Sequence, residues 1–280
     1  MHDFSNCTVL IPFMVDNSDR INNLNEVLKY LNTVLKTEIL LVQQCCSDSK
    51  KVEISHSSFP NLDIKHILYI NSGIFHKTKL YNMGLVKIKT PIVISLDSDV
   101  LLPINQLLEA KHNLENGIDY CFPFSGKYVE ITKLLPEQRS SLLKTYRFDS
   151  YMTALSDYED AYAKIKIRRQ DRHPGLIRNC PPGGCIFINQ QVYLNMGMEN
   201  EDFTGYSPED AERKHRLQVL GYTTKPVEGN LYHIEHDINH KRITNSTDAI
   251  LFKTLATYSK DKIKQYYLDK NYIGKYEAIR

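Results

Sequence analysis

Short apolar runs alternate with amphipathic stretches along the first half of the chain. Residues 8–13 and 91–96 are continuous, apolar and short, which is typical of strands buried on both faces. After the first run, apolar residues recur at steps of three and four from Ile21 to Leu35, which predicts an amphipathic helix capped by Ser18. Strand–helix–strand alternation of this kind predicts a mainly parallel sheet with helices on both faces, and therefore an α/β fold.

The same patterns predict further elements along the chain. Strands are predicted at 38–43, 67–70 and 185–188, and helices at 77–86, 104–114, after Asn189, at 209–220 and, as an appended tail, over about the last thirty residues. The polar stretch 127–172 is predicted to be mostly helical. In open parallel sheets ligands bind beyond the carboxyl ends of the strands, so the residues that follow each strand are the first candidates for chemistry.

Composition and charge narrow the function classes. The 280 residues are 42% hydrophobic with a net charge of +2. This length suffices for one large α/β domain or two small ones, and the chain lacks the basic run of a nucleic-acid-binding protein. The N-terminus lacks a signal-peptide pattern, and no apolar run approaches the roughly 20 residues of a membrane span, so a cytoplasmic location is expected. The six cysteines match no paired zinc pattern and are expected to be free thiols.

Asp97-Ser98-Asp99 directly follows the predicted strand 91–96. Two carboxylates at positions i and i+2 offer hard oxygen ligands to a divalent cation, and such a cation can neutralise a departing diphosphate. Asp is also a common residue at the ends of strands, so the spacing by itself leaves a plain turn open.

The segment Leu231-Tyr232-His233-Ile234-Glu235-His236 provides two imidazoles on a predicted extended stretch. Imidazole together with carboxylate suits manganese better than magnesium, so His233 and His236 are candidates to complete a metal site begun by Asp99. For His215 and His240 we expect no ligand role, because histidines are often half-exposed without one.

A third candidate is Gly205-Tyr206-Ser207-Pro208-Glu209-Asp210. Ser at the N-cap, Pro at N1 and acids in the first turn make a good helix start, and this structural explanation is the stronger one on spacing alone. The functional alternative is that one carboxylate acts as a general base on an acceptor hydroxyl. The pair Gly183-Gly184 would let the backbone approach a ligand closely.

Taken in order, these segments resemble the β-1,4-galactosyltransferase family and its bacterial chondroitin-polymerase-like relatives, which have the GT-A fold. Five segments match over most of residues 8–245: Ile11-Pro12-Phe13, the run 75–84, Asp97-Ser98-Asp99, Gly183-Gly184, and the run 205–210 followed by His236. The order of the matches is more specific than any one motif.

The resemblance implies a role for each matched position. Nucleotide-sugar binding is implied for Pro12, Phe13, Phe75 (against uracil), Lys77, Asp97 (near the ribose), Gly183 and Gly184. It makes Asp99, His233 and His236 ligands of Mn²⁺ or Mg²⁺, Asp210 the catalytic base, and Glu209, with Tyr206, the acceptor-binding residues. Three positions depart from the animal enzymes: Met14 replaces a nucleotide-binding arginine, Tyr206 a tryptophan, and His233 a methionine ligand.

The resemblance predicts an inverting, metal-dependent transfer from a UDP-sugar, of the galactose or N-acetylhexosamine type, to a glycan or lipid-linked glycan. It implies a GT-A domain over 1–248, divided into a nucleotide-sugar half (1–125) and an acceptor and catalytic half (126–248), followed by a tail (249–280) that leaves open a contact with the inner face of a membrane. The oligomeric state is unknown. Three alternatives remain: a sugar nucleotidyltransferase, although Met14-Val15-Asp16-Asn17 lacks its glycine-rich loop, a metallohydrolase, and a catalytically inactive nucleotide-sugar-binding subunit.

Overall fold

A six-stranded sheet forms the centre of the molecule. The computed structural model describes residues 1–15, 17–165, 176–179, 181–237 and 246–277. The strands of this sheet are β1 (His2–Met14), β2 (Leu35–Cys45), β3 (Leu62–Ile70), β4 (Ile92–Leu96), β6 (Tyr120–Cys121) and β9 (Cys185–Asn189). The strand order is β3-β2-β1-β4-β9-β6, in which β3, β2, β1 and β4 are parallel and β9 runs antiparallel to both of its neighbours. The α/β class with a mainly parallel sheet is confirmed.

Helices pack against this sheet and contribute buried side chains to the core. The helices are α1 (Ser18–Val34), α2 (Lys77–Leu85), α3 (Ile104–Glu115), α4 (Pro136–Thr145), α5 (Phe148–Ile165), α6 (Gln190–Asn195), α7 (Glu209–Leu220), α8 (Ser246–Leu255), α9 (Lys260–Lys270) and α10 (Tyr272–Glu277). Helix α2 lies so close to β1 and β2 that a Cβ on Gly84 would be 2.3 Å from Leu10 Cδ1. A side chain at Gly84 would therefore push this helix away from the sheet.

A smaller, four-stranded sheet stands beside the carboxyl end of β4. Its order is β5-β10-β7-β8, with β10 antiparallel to β5 and parallel to β7. Its strands are β5 (Val100–Leu101), β7 (Lys127–Ile131), β8 (Ile177–Asn179) and β10 (Leu231–Ile234). Because β5 begins one residue after Asp99, this sheet brings β10 from late in the chain to the end of β4.

The C-terminal helices pack against α7 and against the loop after α6. Tyr267 Oη donates a hydrogen bond to Glu212 Oε1 (2.7 Å), and the Arg216 guanidinium lies 3.8 Å from the Tyr267 ring. Lys275 and Tyr276 both contact the carboxylate of Glu201. The predicted helical tail is therefore present and docked, whereas the domain boundary at residue 248 stays a prediction.

Several local predictions are corrected. The N-cap of α1 is Asn17, whose side chain accepts from the Arg20 amide, and Ser18 is the first helical residue. Leu35 begins β2 and is not part of the helix. Residues 127–131 form β7 within the stretch predicted to be helical, because they pair with β10; residues 166–172 of that stretch, like His240, lie outside the described residues.

The α7 N-cap also differs from the prediction. Pro208 occupies it, and Ser207 Oγ instead donates to Glu209 Oε2 (2.9 Å). The Asn189 cap of α6 is confirmed, since its side chain accepts from the Gln191 and Val192 amides. The five cysteines within the described ranges are free thiols, as predicted; Cys180 falls outside them. Among the helices described, none is long and apolar enough to cross a bilayer.

Candidate active site

The loop between β4 and β5 is the centre of the candidate site. Strand β9 runs antiparallel to β4 with Leu96 opposite Cys185, so the residues before β9 reach the same sheet edge as the residues after β4. The Asp97 amide donates to the Gly184 carbonyl (2.9 Å), and the Ile234 amide donates to the Asp99 carbonyl (2.7 Å). The two ends of the Asp97-Ser98-Asp99 segment are thereby fixed to different parts of the protein.

Asp99, His233 and His236 meet on one side of this loop, and we call these three residues the metal cluster. Their ligand atoms all lie within 4.8 Å of one another. Asp99 Oδ2 is 3.6 Å from His233 Nε2 and 3.4 Å from His236 Nε2, and all three side chains are largely buried. His233 reaches this place because it is paired with Val100 in the small sheet.

The orientation of both imidazoles fits a metal site. His233 Nδ1 is 2.7 Å from Glu130 Oε1 on β7, and His236 Nδ1 donates to the Asp237 carbonyl (3.1 Å). Hydrogen bonds of this kind leave Nε2 of each ring directed at Asp99, as is usual for histidines that bind a metal. A set of one carboxylate and two imidazoles fits a divalent transition-metal ion such as Mn²⁺.

The charges in the metal cluster keep the Asp99 carboxylate ionised. Burial lowers the pKa of His233, but the carboxylates of Asp99 and Glu130 outweigh burial and raise it to about 9. Burial opposes ionisation of Asp99, yet His233, His236 and Arg20 together hold the pKa of Asp99 well below its usual value. Asp99 is therefore an ionised carboxylate, which is the form that binds a cation.

Arg20 is a further member of this region. Its Nη1 donates to Asp99 Oδ2 at 2.6 Å, from the first turn of α1. That turn is fixed to the end of β10, because Asn23 Nδ2 donates to the Ile234 carbonyl (2.9 Å) and the Asp237 amide donates to Asp19 Oδ2 (3.2 Å).

On the other side of the loop, Asp97, Glu209 and Asp210 surround Lys77, and we call these three acids the carboxylate cluster. Lys77 Nζ lies 3.0 Å from Asp97 Oδ1, 3.3 Å from Glu209 Oε1 and 3.4 Å from Asp210 Oδ2. Arg213 forms an ion pair with Asp210 one turn along α7 and donates from Nη1 to Glu199 Oε1 (2.9 Å).

The pKa values of the three acids in the carboxylate cluster are shifted in different directions. Burial and the neighbouring Asp210 raise the pKa of Glu209 to about 7. Burial also raises the pKa of Asp97, against the attraction of Lys77. Asp210 behaves in the opposite way: Lys77 and Arg213 outweigh burial and lower its pKa. Neighbouring carboxyl groups with separated pKa values are typical of acid–base sites.

The loop 199–206 fixes α2 and α7 relative to each other. The Gly205 amide donates to the Phe75 carbonyl (3.0 Å), and Thr78 Oγ1 donates to the Phe203 carbonyl (3.1 Å). Asn82 and Glu199 exchange two hydrogen bonds of 2.9 and 2.8 Å. The run 75–84 and the run 205–210, distant in sequence, are in this way parts of one site.

Gly183 lies directly against the carboxylate cluster. A Cβ on Gly183 would be 2.4 Å from Asp210 Oδ2, so a larger residue would displace that carboxylate. Gly184 has a φ of +94°, and a Cβ there would be 2.7 Å from Leu231 Cδ1. A side chain at Gly183 would collide with Asp210, and a side chain at Gly184 would collide with Leu231 of the small sheet, so both positions favour glycine.

The remaining predicted site residues surround this centre at different depths. Pro12 and Phe13 are buried in β1, and the Phe13 ring packs against His66 with centroids 5.8 Å apart. Phe75 is half-buried, and Tyr206 is 60% exposed. The structure thus brings together the predicted metal ligands and, separately, the predicted acids with Lys77 and Gly183. The assigned roles of all these residues stay predictions.

Sequence reasoning did not single out three residues of the site: Arg20, Glu130 and Arg213. Arg20 and Arg213 are basic residues on amphipathic helices that carry other basic residues, and solvent-exposed arginines are common on such helices. Glu130 is in a segment predicted to be helical, so the sequence did not indicate that it would pair with His233 on a neighbouring strand. Only for Arg213 was there a signal, since it follows Asp210 by three residues and can reach it along a helix.

Comparisons with known proteins place this geometry in a known fold. No family model matches the chain, and no curated protein matches it. Among solved structures, the chain matches the catalytic domain of Drosophila β1,4-galactosyltransferase 7 in complex with xylobiose at 13% identity and a TM-score of 0.52, covering 93% of this chain and 84% of the other.

Two further structures show the same likeness. S. aureus TarS 1–349 in complex with UDP-GlcNAc has 14% identity and a TM-score of 0.56, covering 94% of this chain and 71% of TarS 1–349. The mannosyltransferase PcManGT from Pyrobaculum calidifontis, with GDP-Man and Mn²⁺, has 14% identity and a TM-score of 0.52, covering 95% and 69%. The chain has the GT-A glycosyltransferase fold, as predicted.

Proposed function

We propose that the protein is an inverting, divalent-metal-dependent glycosyltransferase that moves a sugar from a UDP-sugar to a hydroxyl of a glycan acceptor. The observation that carries this proposal is the position of Asp97-Ser98-Asp99 between two clusters of opposite character. Asp99 belongs to a buried set of metal-type ligands, and Asp97 belongs to a set of acids around a lysine. Transfer between two sugars needs both functions side by side: one for the leaving group and one for the attacking hydroxyl.

The metal cluster is assigned to the leaving group. Asp99, His233 and His236 would hold Mn²⁺, or Mg²⁺ with less favourable ligand chemistry. A bound divalent cation supplies charge neutralisation for the diphosphate that departs with the nucleotide. Glu130 and the Asp237 carbonyl orient the two imidazoles toward it.

The carboxylate cluster is assigned to the acceptor. Asp210 is the proposed base: its side chain is 19% exposed against 8% for Glu209, and it faces Gly183, which has no side chain to block an acceptor. Glu209, whose pKa is raised to about 7, accepts a hydrogen bond from an acceptor hydroxyl when ionised. A base positioned in this way typically contributes roughly 10²–10⁴-fold to the rate.

We propose that the nucleotide binds at the carboxyl ends of β1 and β4, where ligands bind in folds of this type. There Pro12, Phe13 and Phe75 are proposed to contact the base, Asp97 the ribose, and Lys77 and the two glycines the rest of the donor. On the acceptor side, Tyr206 presents an exposed ring suited to stacking on a sugar.

UDP is proposed as the nucleotide on the strength of the sequence resemblance, with galactose or an N-acetylhexosamine as the sugar. The structures it resembles were solved with UDP-GlcNAc, with GDP-Man or with a xylose disaccharide, so they support nucleotide-sugar chemistry in general. Polysaccharide or glycoconjugate synthesis in the cytoplasm, from a free or lipid-linked glycan, completes the proposal. Two lysines of the tail, Lys270 and Lys275, are used in ion pairs with Asp202 and Glu201, which leaves fewer charges for a membrane surface.

The first experiment is a panel of UDP-sugars incubated with the protein, with Mn²⁺ and with EDTA, and scored for released UDP. We expect release from one sugar, lost with EDTA and in Asp99→Ala. Asp63→Ala is the matched control, since it removes an exposed carboxylate on β3 at the outer edge of the main sheet. If the wild type neither cleaves nor binds any UDP-sugar in the presence of Mn²⁺, the proposal is wrong. Binding without turnover, with or without acceptors, would instead support an inactive binding subunit.

A further inference from the structure

We infer that Arg20 binds the diphosphate of the donor and, before the donor arrives, competes with the metal for Asp99. This inference deepens the proposed function and rests on it. It assigns to Arg20 a binding role and a coupling role, so that metal and nucleotide each strengthen the other. The starting observation is that Arg20 Nη1 donates to Asp99 Oδ2 at 2.6 Å.

The same oxygen is the focus of the metal cluster. His233 Nε2 and His236 Nε2 lie 3.6 and 3.4 Å from Asp99 Oδ2, on the atom that the guanidinium also contacts. A divalent ion bonds carboxylate oxygen and imidazole nitrogen at roughly 2.0–2.2 Å, so an ion held by these three ligands would come within a few ångströms of the Arg20 guanidinium. Two like charges at that separation repel each other strongly in a buried site.

The Arg20 side chain is more exposed than the side chains of Asp99 and His236. Its side chain is 26% exposed, whereas those of Asp99 and His236 are 7% and 3% exposed. The backbone from which it extends is firmly held, because Asn17 caps the helix and Asn23 and Asp19 tie the first turn to the residues around His236. A firmly held backbone and a partly exposed guanidinium suit a side chain that exchanges one anion for another.

The other anion would be the diphosphate. Phosphate oxygens bound to a cation at the metal cluster lie next to the position from which the guanidinium withdraws. The planar fork of arginine matches two phosphate oxygens at once, and the first turn of α1 adds the positive end of a helix dipole. Among the described residues, Arg20 is the cationic side chain besides the imidazoles that contacts Asp99.

Removal of the Arg20 guanidinium is predicted to change metal affinity and nucleotide affinity in opposite directions. Without nucleotide, Arg20 opposes the cation, so removing the guanidinium should strengthen metal binding. With nucleotide, Arg20 holds the diphosphate, so the same change should weaken nucleotide binding. If Arg20 only kept Asp99 in place, its loss would weaken metal binding. Nucleotide binding would then weaken only as far as it depends on the bound metal, and would be normal in saturating metal.

The experiment measures Mn²⁺ binding to the full chain from the electron paramagnetic resonance signal of free Mn²⁺, and then UDP and UMP binding in saturating Mn²⁺ by calorimetry. For Arg20→Gln we expect tighter Mn²⁺ binding, and UDP binding weakened about tenfold, the loss typical of a hydrogen bond between charged groups. UMP, which lacks the second phosphate, should be affected less. Arg20→Lys keeps the charge, so it should leave Mn²⁺ binding near that of the wild type while still weakening UDP.

Lys29→Ala is the matched control, because it removes a positive charge from the same helix, at an exposed pair with Glu26. The inference is overturned if Arg20→Gln binds Mn²⁺ more weakly, or if it binds UDP as well as the wild type does. If the wild type itself fails to bind UDP with Mn²⁺, the proposed function fails, and this inference with it. The two failures are therefore distinguished by the wild-type titration.

Discussion

The metal cluster and the carboxylate cluster are separated by a single residue, Ser98, yet their electrostatics are opposite. In the metal cluster one carboxylate is surrounded by positive or hydrogen-bonding groups, and the pKa of Asp99 is lowered. In the carboxylate cluster three acids share Lys77, with Arg213 behind Asp210, and the pKa values of Glu209 and Asp97 are raised. The first arrangement keeps Asp99 ionised and able to bind a cation, whereas the second allows Glu209 to gain or lose a proton near neutral pH.

This contrast assigns one chemical task to each side. Asp99, whose pKa is lowered, is a good ligand and a poor proton carrier at neutral pH. Acids whose pKa values are pushed apart can exchange a proton with an acceptor hydroxyl. Variants that affect one cluster and spare the other are therefore the sharpest tests of the comparison.

The largest expected effect is that of Asp210→Asn. Loss of the base should lower kcat for transfer by roughly 10²–10⁴-fold, while Mn²⁺ and UDP binding stay as in the wild type because the metal cluster is untouched. Kinetics with a defined acceptor, together with calorimetry for UDP, would measure both. Asp202→Asn, at an exposed ion pair with Lys270, is the control. Near-normal turnover in Asp210→Asn would show that Asp210 is not the base. Loss of UDP binding would show that the carboxylate cluster also contributes to donor binding.

Arg213→Lys should have the next largest effect. A lysine keeps the charge but cannot hold Asp210 and Glu199 together as the guanidinium does. Misplacement of the base should lower kcat by roughly 10–10²-fold. Arg213 also helps to keep the pKa of Asp210 low, so in the variant that pKa should rise and activity should be lost at a higher pH on the acid side. A lower kcat with an unchanged pH profile would mean that Arg213 is only structural.

A smaller effect is expected for Glu209→Gln. Burial raises the pKa of Glu209 to about 7 in the folded protein, so the wild-type side chain gains its charge as the pH rises through that value. If the ionised form accepts the hydrogen bond from the acceptor, kcat/KM for acceptor should rise about tenfold between about pH 6 and about pH 8. Glutamine does not titrate, so the variant should lack this rise, with UDP binding unchanged. A wild-type rise that persists in Glu209→Gln would have to come from another group.

Much of the main sheet could be predicted because five of its six strands are local patterns, whereas the two-residue strand β6 depends on its pairing with β9. The continuous apolar runs at 8–13 and 91–96 and the steps of three and four in α1 are visible without knowledge of partners. In the small sheet, the extended stretch that contains β10 could be predicted, but its pairing with β5 and β7 could not. Strand β7 has only five residues, with Lys127 and Glu130 among them, and it is a strand because β10 and β8 pair with it from more than forty residues away.

The candidate site shows the same limit. Asp97, Asp99 and the acids at 209 and 210 could be proposed from sequence because they follow or begin regular elements in a recognised order. Their partners could not, since the pairing of Arg20 with Asp99 spans 79 positions and that of His233 with Glu130 spans 103. Such contacts depend on the packing of α1 and β7 around β10, and no local pattern encodes that packing.

The smallest effect on activity is expected one helical turn beyond Asp210. Glu212 and Arg216 form a buried ion pair of 3.2 Å, and Tyr267 from α9 donates to Glu212. Tyr267→Phe would leave a buried carboxylate oxygen without its donor, so we expect it to lower the free energy of unfolding by about 1–3 kcal/mol and leave kcat unchanged. Urea denaturation would measure the loss, and Tyr266→Phe, at an exposed contact with Asp202, should cost less.

Unlike the two clusters, the Glu212–Arg216 pair is completely buried, and we expect it to position α7 rather than to take part in chemistry. A fall in kcat for Tyr267→Phe at temperatures where it remains folded would therefore show that the docked tail, too, controls the carboxylate cluster.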